Sequence, residues 1–346
     1  MVGAKAAHGF FAGKFTFAVN SIAAGGKVKF IIRAVGGAVK NVIRGNRNQP
    51  HAVAVTGTGN VGSAVGIQFI RQGDFGFALV HRCHGGAMDH GIRFPFTVGV
   101  SAGACNGLSY MSGQRGRAKA SNIDLMDEHH YIGFRYLLTQ RCIMDFKLLF
   151  EDFPERIIPY DYEAYFANPD RFVMVTTNCL TGKAEYFEEK SSSKRVMDIV
   201  RASSSLPFVS PIAHVDGVPM LDGGIADSIP VEFAMNQGYE KLVVILTRNK
   251  GYRKKDSKMP AAKVFYHKYP SLQKALSERN AVYNRTMDLI ESLEEEGRIT
   301  VIRPLKPVEV SRMEKDTSKL LALYQEGYDI AKTMITAIIS SQLELS

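Results

Sequence analysis

Tryptophan is absent from the chain, and the first hundred residues contain no glutamate, no tyrosine and one leucine, Leu79. Cysteine is scarce: Cys83, Cys105, Cys142 and Cys179 show no C-x-x-C or metal-type spacing. That excludes a disulfide scaffold or a structural zinc module and predicts reduced thiols in a cytoplasmic protein, with no metal. No apolar run approaches the length needed to span a bilayer. Acidic residues are rare at the start, where eleven Lys/Arg face only Asp74 and Asp89. The net charge of +9 therefore arises within residues 1–100, and the remainder balances 32 against 32.

What the first third does hold is glycine, 18 of the 31 in the chain. Its basic residues are scattered among Gly, Ala and Val rather than clustered, which argues against a nucleic-acid-binding arm. It also lacks the apolar core and small-residue cleavage site of a targeting segment. Residues 1–87 read as an atypical Gly/Ala/basic region, non-native or mis-framed sequence, ahead of a regular domain over 88–346.

From Met88 the patterns are those of a mixed fold. Apolar runs predict strands over 94–100, 171–179, 184–189, 217–224, 241–249 and 300–304. Helical spacing predicts helices from Ala102 to about Gly113, over parts of 124–150, within 191–207, over 271–297 and over 314–345. The nearly continuous apolar run of "KLVVILTRN" suits the interior of a parallel sheet. Strands alternating with helices predict a three-layer α/β/α sandwich with a mostly parallel central sheet.

The chemistry centres on "GVSAGACNG", residues 99–107. A serine between Gly99 and Gly103, at a strand-to-helix junction, has the form of a nucleophile elbow. Small neighbours let the backbone turn sharply, and the helix start offers N–H groups to a developing oxyanion. A serine hydroxyl needs a base. Asp222 in "LDGGIADSIPV" is the candidate, at the end of an apolar strand and followed by Gly223 and Gly224.

Together with "RASSSLP" (201–207), these segments resemble the patatin-like phospholipase family, serine lipid acyl hydrolases that use a Ser–Asp dyad. The resemblance covers about 88–346. It implies Ser101 as nucleophile, Asp222 as base, an acyl-enzyme route without cofactor or metal, and a lipid or other acyl ester as substrate. The Ala102 backbone N–H would serve the oxyanion. The family's Gly-Gly-Gly-x-Arg/Lys-Gly loop has no counterpart here. The nearest cluster is "GTGNVG" (57–62), so Gly57 and Gly59 are the remaining candidate donors, and impaired turnover is expected.

Other readings stay open. A chain lacking the loop could be a binding protein on the same scaffold. The order Ser101, Asp222, His267 matches an α/β-hydrolase triad. Gly57-x-Gly59-x-x-Gly62 has the form of a dinucleotide fingerprint, but the acidic residue expected about twenty positions on is missing. Finally, residues 247–274 carry nine Lys/Arg, one acid and interleaved Tyr and Phe. That composition suits peripheral contact with an anionic membrane.

Overall fold

A computed structural model describes residues 94–344 except 240, 256–258, 309–313 and 315, and, before them, the backbone of five strands within 10–69. The chain divides into two units, Met1–Val61 and Gly62–Leu345. In the first, β1 (Phe10–Ala12), β2 (Phe15–Ala24), β3 (Lys27–Ala34) and β4 (Val42–Gly45) form an antiparallel sheet in that order. The second unit carries everything discussed below.

Its sheet contains β5 (Gly66–Phe69), β6 (Phe96–Val100), β7 (Arg171–Asn178), β8 (Ala184–Phe187), β9 (Ala213–Val215), β10 (Val218–Asp222), β11 (Leu242–Ile245) and β12 (Ile299–Ile302). The run β12-β11-β5-β6-β7 is parallel. Strands β8, β10 and β9 attach antiparallel. Two shorter helices, α1 (Ala102–Met111) and α2 (Ser193–Ser203), and two long ones, α3 (Pro270–Glu295) and α4 (Thr317–Glu344), define the layers.

The parallel strands are apolar on both faces because both faces are covered. Phe172 and Met174 of β7 pack with Leu108, Met111, Val196 and Ile199 of α1 and α2. Val173 and Val175 point the other way, into a cluster with Val98, Val244, Met287 and Ile290, the last two from α3. The result is the expected three-layer α/β/α arrangement. The helical segments expected within 124–150 are present and short, Met126–His129 and Arg135–Gln140, before a π-helical stretch at Leu148–Ile157. Widened turns and a left-handed residue at His130 and at Arg141 interrupt the α-helical spacing there.

The start of α2 is fixed by a buried carboxylate. Glu189 accepts hydrogen bonds from the Ser191 amide (2.7 Å), the Ser191 hydroxyl (2.7 Å) and the Ser192 amide (2.9 Å). Arg195 bridges it, at 2.6 Å, to Asp216 on the turn between β9 and β10. Burial alone would raise the Glu189 carboxyl, but the bonds from Ser191, Arg195 and the two amides outweigh it and hold it at about 2.

A depressed folded-state value stabilises above the unfolded one, and the contribution is lost as pH falls through the folded value. With about 1.4 kcal/mol per pH unit, the carboxylate contributes up to about 3 kcal/mol at neutral pH. Glu189→Gln should lower the melting temperature by several degrees near neutral pH. The gap should close between about pH 4.5 and pH 2 in thermal melts. A gap that stays constant across that window would contradict this account.

Candidate active site

The register of β7 brings the two predicted residues together. Val100 of β6 lies opposite Val175, and Asp222 of β10 lies opposite Thr176. A strand residue has one neighbour on each side. Since β8 also lies opposite Val175 and Thr176, it occupies the far side of β7. Strands β6 and β10 therefore share the near side, end to end, and Val100 and Asp222 take successive positions along it.

Chain β6 cannot continue past Val100, because Asp222 holds the next place. Ser101 turns the backbone out of the sheet with φ 55° and ψ −118°. A non-glycine residue in such a conformation costs about 1–3 kcal/mol and persists only where its surroundings enforce it. The sharp exit brings α1 against β6. A Cβ on Gly99 would lie 2.7 Å from the Gly103 carbonyl oxygen and 2.8 Å from the Ala104 nitrogen, both backbone atoms. Gly103 is buried in this contact.

Asp222 lies at the end of its apolar strand, as expected, and that strand, β10, runs antiparallel to β7. Behind Asp222, a Cβ on Gly223 would sit 2.3 Å from the Val175 carbonyl oxygen, so only glycine fits. Gly224 donates its N–H to Asp222 Oδ1 at 2.8 Å, which aims the carboxylate. Asp222 is fully buried and Ser101 is 7% exposed.

The end of α2 ties the two exits to each other. The Ser101 amide donates to Ser203 Oγ (2.9 Å), and that hydroxyl donates to the Val175 carbonyl (2.7 Å). The Asp222 amide donates to the Ser205 carbonyl at 2.9 Å. Thr177 Oγ1 donates to the Asp222 carbonyl at 2.9 Å. Ser203 and Ser205 of "RASSSLP" thus hold the amides of Ser101 and Asp222.

With its amide engaged by Ser203, Ser101 leaves the next amide, that of Ala102, as the elbow's N–H; those of Ala104 and Cys105 donate to the Ser101 carbonyl. Gly57 and Gly59 lie outside the described residues, as does the whole 57–62 motif. His267 is exposed, and its Nδ1 lies 3.3 Å from the Val264 carbonyl. It does not line the cavity at Ser101. Among the described residues no group of three His, Cys, Asp or Glu could hold a metal ion, and no helix is long and apolar enough to cross a membrane.

A cavity of about 320 Å³ opens at Ser101, Ala102 and Cys105. Its walls are mostly apolar, with Leu108, Phe146, Phe150, Phe153 and Met197 prominent, and no Asp or Glu lines it. Sequence reasoning missed this wall, which comes mainly from the irregular segment 117–154. One signal was present: Ser101, Cys105 and Ser109 recur every four residues and share one face of α1.

Residues 66–235 match the family model for patatin-like phospholipase, and residues 269–341 match a domain of unknown function (DUF6363). The family model over 66–235 thus agrees with the resemblance carried by the elbow and the Asp-Gly-Gly turn. Its match begins at β5. Among curated proteins the chain is 28% identical over 170 residues to the uncharacterized protein YjjU of Escherichia coli (strain K12), covering 47% of either sequence. The chain thus spans about half the length of that relative. Among solved structures, VipD from Legionella pneumophila is similar with a TM-score of 0.42 and 11% identity, over 80% of this chain and 67% of that one.

Two substitutions test the junction. Gly223→Ala forces a Cβ onto a backbone carbonyl and should cost about 1–3 kcal/mol or more in denaturant melts. Ser203→Ala leaves a buried N–H and a buried C=O without their partner, for about 1–3 kcal/mol. Stabilities equal to the parent's would refute the proposed packing.

Proposed function

We propose that the chain is a serine acyl hydrolase in which Ser101 attacks an ester carbonyl and Asp222 takes its proton. One observation carries this reading: the register of β7 sets the buried, hydrogen-bonded Asp222 at the place next after Val100, the one the strained Ser101 leaves, and Ser101 lines an apolar cavity. The carboxylate accepts the hydroxyl proton as the oxygen bonds to carbon. The alkoxide leaving group then departs with that proton, giving an acyl-serine. Water, deprotonated by Asp222 in turn, attacks the acyl carbon and releases the acid. The Ala102 N–H, at the start of α1, faces the developing oxyanion with the helix dipole behind it. An apolar cavity suits the acyl chain of a lipid ester.

Ser101→Ala and Asp222→Asn should each lower kcat on a short-chain chromogenic ester by about 10³-fold or more, and the double variant should be little worse than either. His267→Ala should stay near parent activity; a loss equal to that of Asp222→Asn would favour the triad. Absence of turnover in the parent, with lipid binding retained, would favour the binding-protein reading.

The membrane reading narrows. Arg253 is committed to Asp288 and Glu291, each at 2.7 Å, and the Lys254 ammonium lies over the Tyr283 ring at 3.7 Å. The segment's exposed large apolar side chains are Val264 (74% exposed) and Phe265 (64% exposed), flanked by exposed Lys263, His267 and Lys268. This apolar tip with a basic rim suits insertion at an anionic lipid surface. Phe265 also stacks edge-on with Phe208, centroids 5.7 Å apart, and Phe208 lies between the cavity residues Leu206 and Val209. Binding to anionic vesicles should exceed binding to neutral ones, fall with salt, and be lost in Lys263→Glu/Phe265→Ser/Lys268→Glu. Equal vesicle binding by variant and parent would sink the idea.

A further inference from the structure

The cavity's lining carries one charged side chain. This is Arg117, and its Nε and Nη2 both donate to one neutral acceptor, the Ile158 carbonyl, at 3.2 and 3.0 Å. The guanidinium lies over the Tyr160 ring, 5.2 Å from its centroid. Among the described residues it forms no ion pair with a carboxylate, and its hydrogen bonds, through Nε and Nη2, go to that one carbonyl. Burial pulls the Arg117 guanidinium below its ordinary value, with Tyr160 and Cys105 opposing the shift. A partly buried cation without a counter-ion is costly, and such groups are usually paired.

A second observation lies on the same wall. Ser109 is 3% exposed, lines the cavity, and its hydroxyl has no hydrogen-bond partner. Buried hydroxyls are nearly always bonded, so one that is not marks a place for a ligand atom. Ser109 shares the α1 face of Ser101, two turns on, about 12 Å along the axis; Cys105, whose thiol senses the Arg117 charge, is about 6 Å along.

We propose that Arg117 and Ser109 form an anion subsite inside the acyl cavity, so that the substrate is an ester bearing an anionic group roughly one to two helical turns from its scissile carbonyl. This rests on the hydrolase reading. A phosphate close to the ester or a carboxylate farther along the acyl chain supplies the same chemistry: a planar guanidinium edge takes either, and a hydroxyl donates to either. The absence of acidic residues from the cavity lining leaves nothing to repel such a group.

The test compares matched esters on the full chain. Oleoyl lysophosphatidate is set against mono-oleoylglycerol, and the mono-p-nitrophenyl ester of a long dicarboxylic acid against the p-nitrophenyl alkanoate of equal length. The parent should prefer the anionic member of at least one pair by kcat/KM, and the pair showing the preference tells phosphate from terminal carboxylate. Arg117→Gln should lower that preference by about 10- to 100-fold, Ser109→Ala by less, and Arg117→Lys should restore part of it. Should Arg117→Gln not fold, Ser109→Ala and Arg117→Lys still read the ratio. Binding of the same lipids to Ser101→Ala, by calorimetry, is the arm independent of turnover. Anionic preference in binding without hydrolysis by the parent would overturn the hydrolase reading and keep the subsite. Hydrolysis with no anionic preference in either pair, or a preference unchanged by Arg117→Gln, would overturn the subsite.

Discussion

One edge of β7 has two claimants, and most of the site follows from that. Strand β6 holds it up to Val175, and β10, running the other way, holds it from Thr176. Neither strand can extend without displacing the other, so both must leave the sheet at the same point. The departures are the strained serine and the Asp-Gly-Gly turn. Two residues over a hundred positions apart in sequence are thereby set side by side by backbone hydrogen bonding alone, before any side chain has been placed. The Val175 carbonyl stands at the junction, accepting from Ser203 and closing off any side chain at Gly223. Such a junction is rigid, as strain at Ser101 requires.

How much of this is legible in the sequence differs from residue to residue. The small residues flanking Ser101 and the pair following Asp222 are local requirements of sharp turns, so they appear as motifs. The strands and long helices are legible because β6, β7 and β11 are covered on both faces and α3 buries one stripe, giving each its own period. That β10 runs antiparallel is not legible: its run "VPMLD" reads the same in either direction, and only pairing with β7 decides. The cavity wall is less legible still. Residues 117–158 hold short helices, a π-helical stretch and left-handed residues, whose apolar side chains follow no single period. Ile123, Met126, Tyr131 and Phe153 converge on Leu320, Leu323 and Tyr324 of α4, a contact that no local pattern announces.

The same comparison revises the reading of charge. By composition, 247–274 is a basic surface; in three dimensions its Arg253 is paired with Asp288 and Glu291 of α3, and the Lys254 ammonium lies over the Tyr283 ring. Counting charges overstates what a segment offers a membrane, because ion pairs with a distant helix are invisible along the chain. The reverse holds for Arg117. In sequence it is one of several basic residues in "GQRGRAKAS", yet it is the one that lines the cavity without a carboxylate beside it. Burial and partners, rather than the number of charges, decide which cations can act on a ligand.

The cavity also holds a thiol, and its environment explains why a serine rather than that cysteine is suited to react. Cys105 is one turn beyond Ser101 on the same face of α1, and a thiolate is intrinsically the better nucleophile. Burial pushes its thiol up; Ser204, whose Oγ lies 3.4 Å from the sulfur, and Arg117 oppose this, while Asp222 adds to the rise. The net shift is upward, so the sulfur stays protonated at neutral pH and acts as an apolar wall. The carboxylate that would take a proton from Ser101 thus also helps keep Cys105 neutral: a negative charge near both groups favours removing a proton only where that charge can accept it directly. In the proposed mechanism that relation belongs to Ser101.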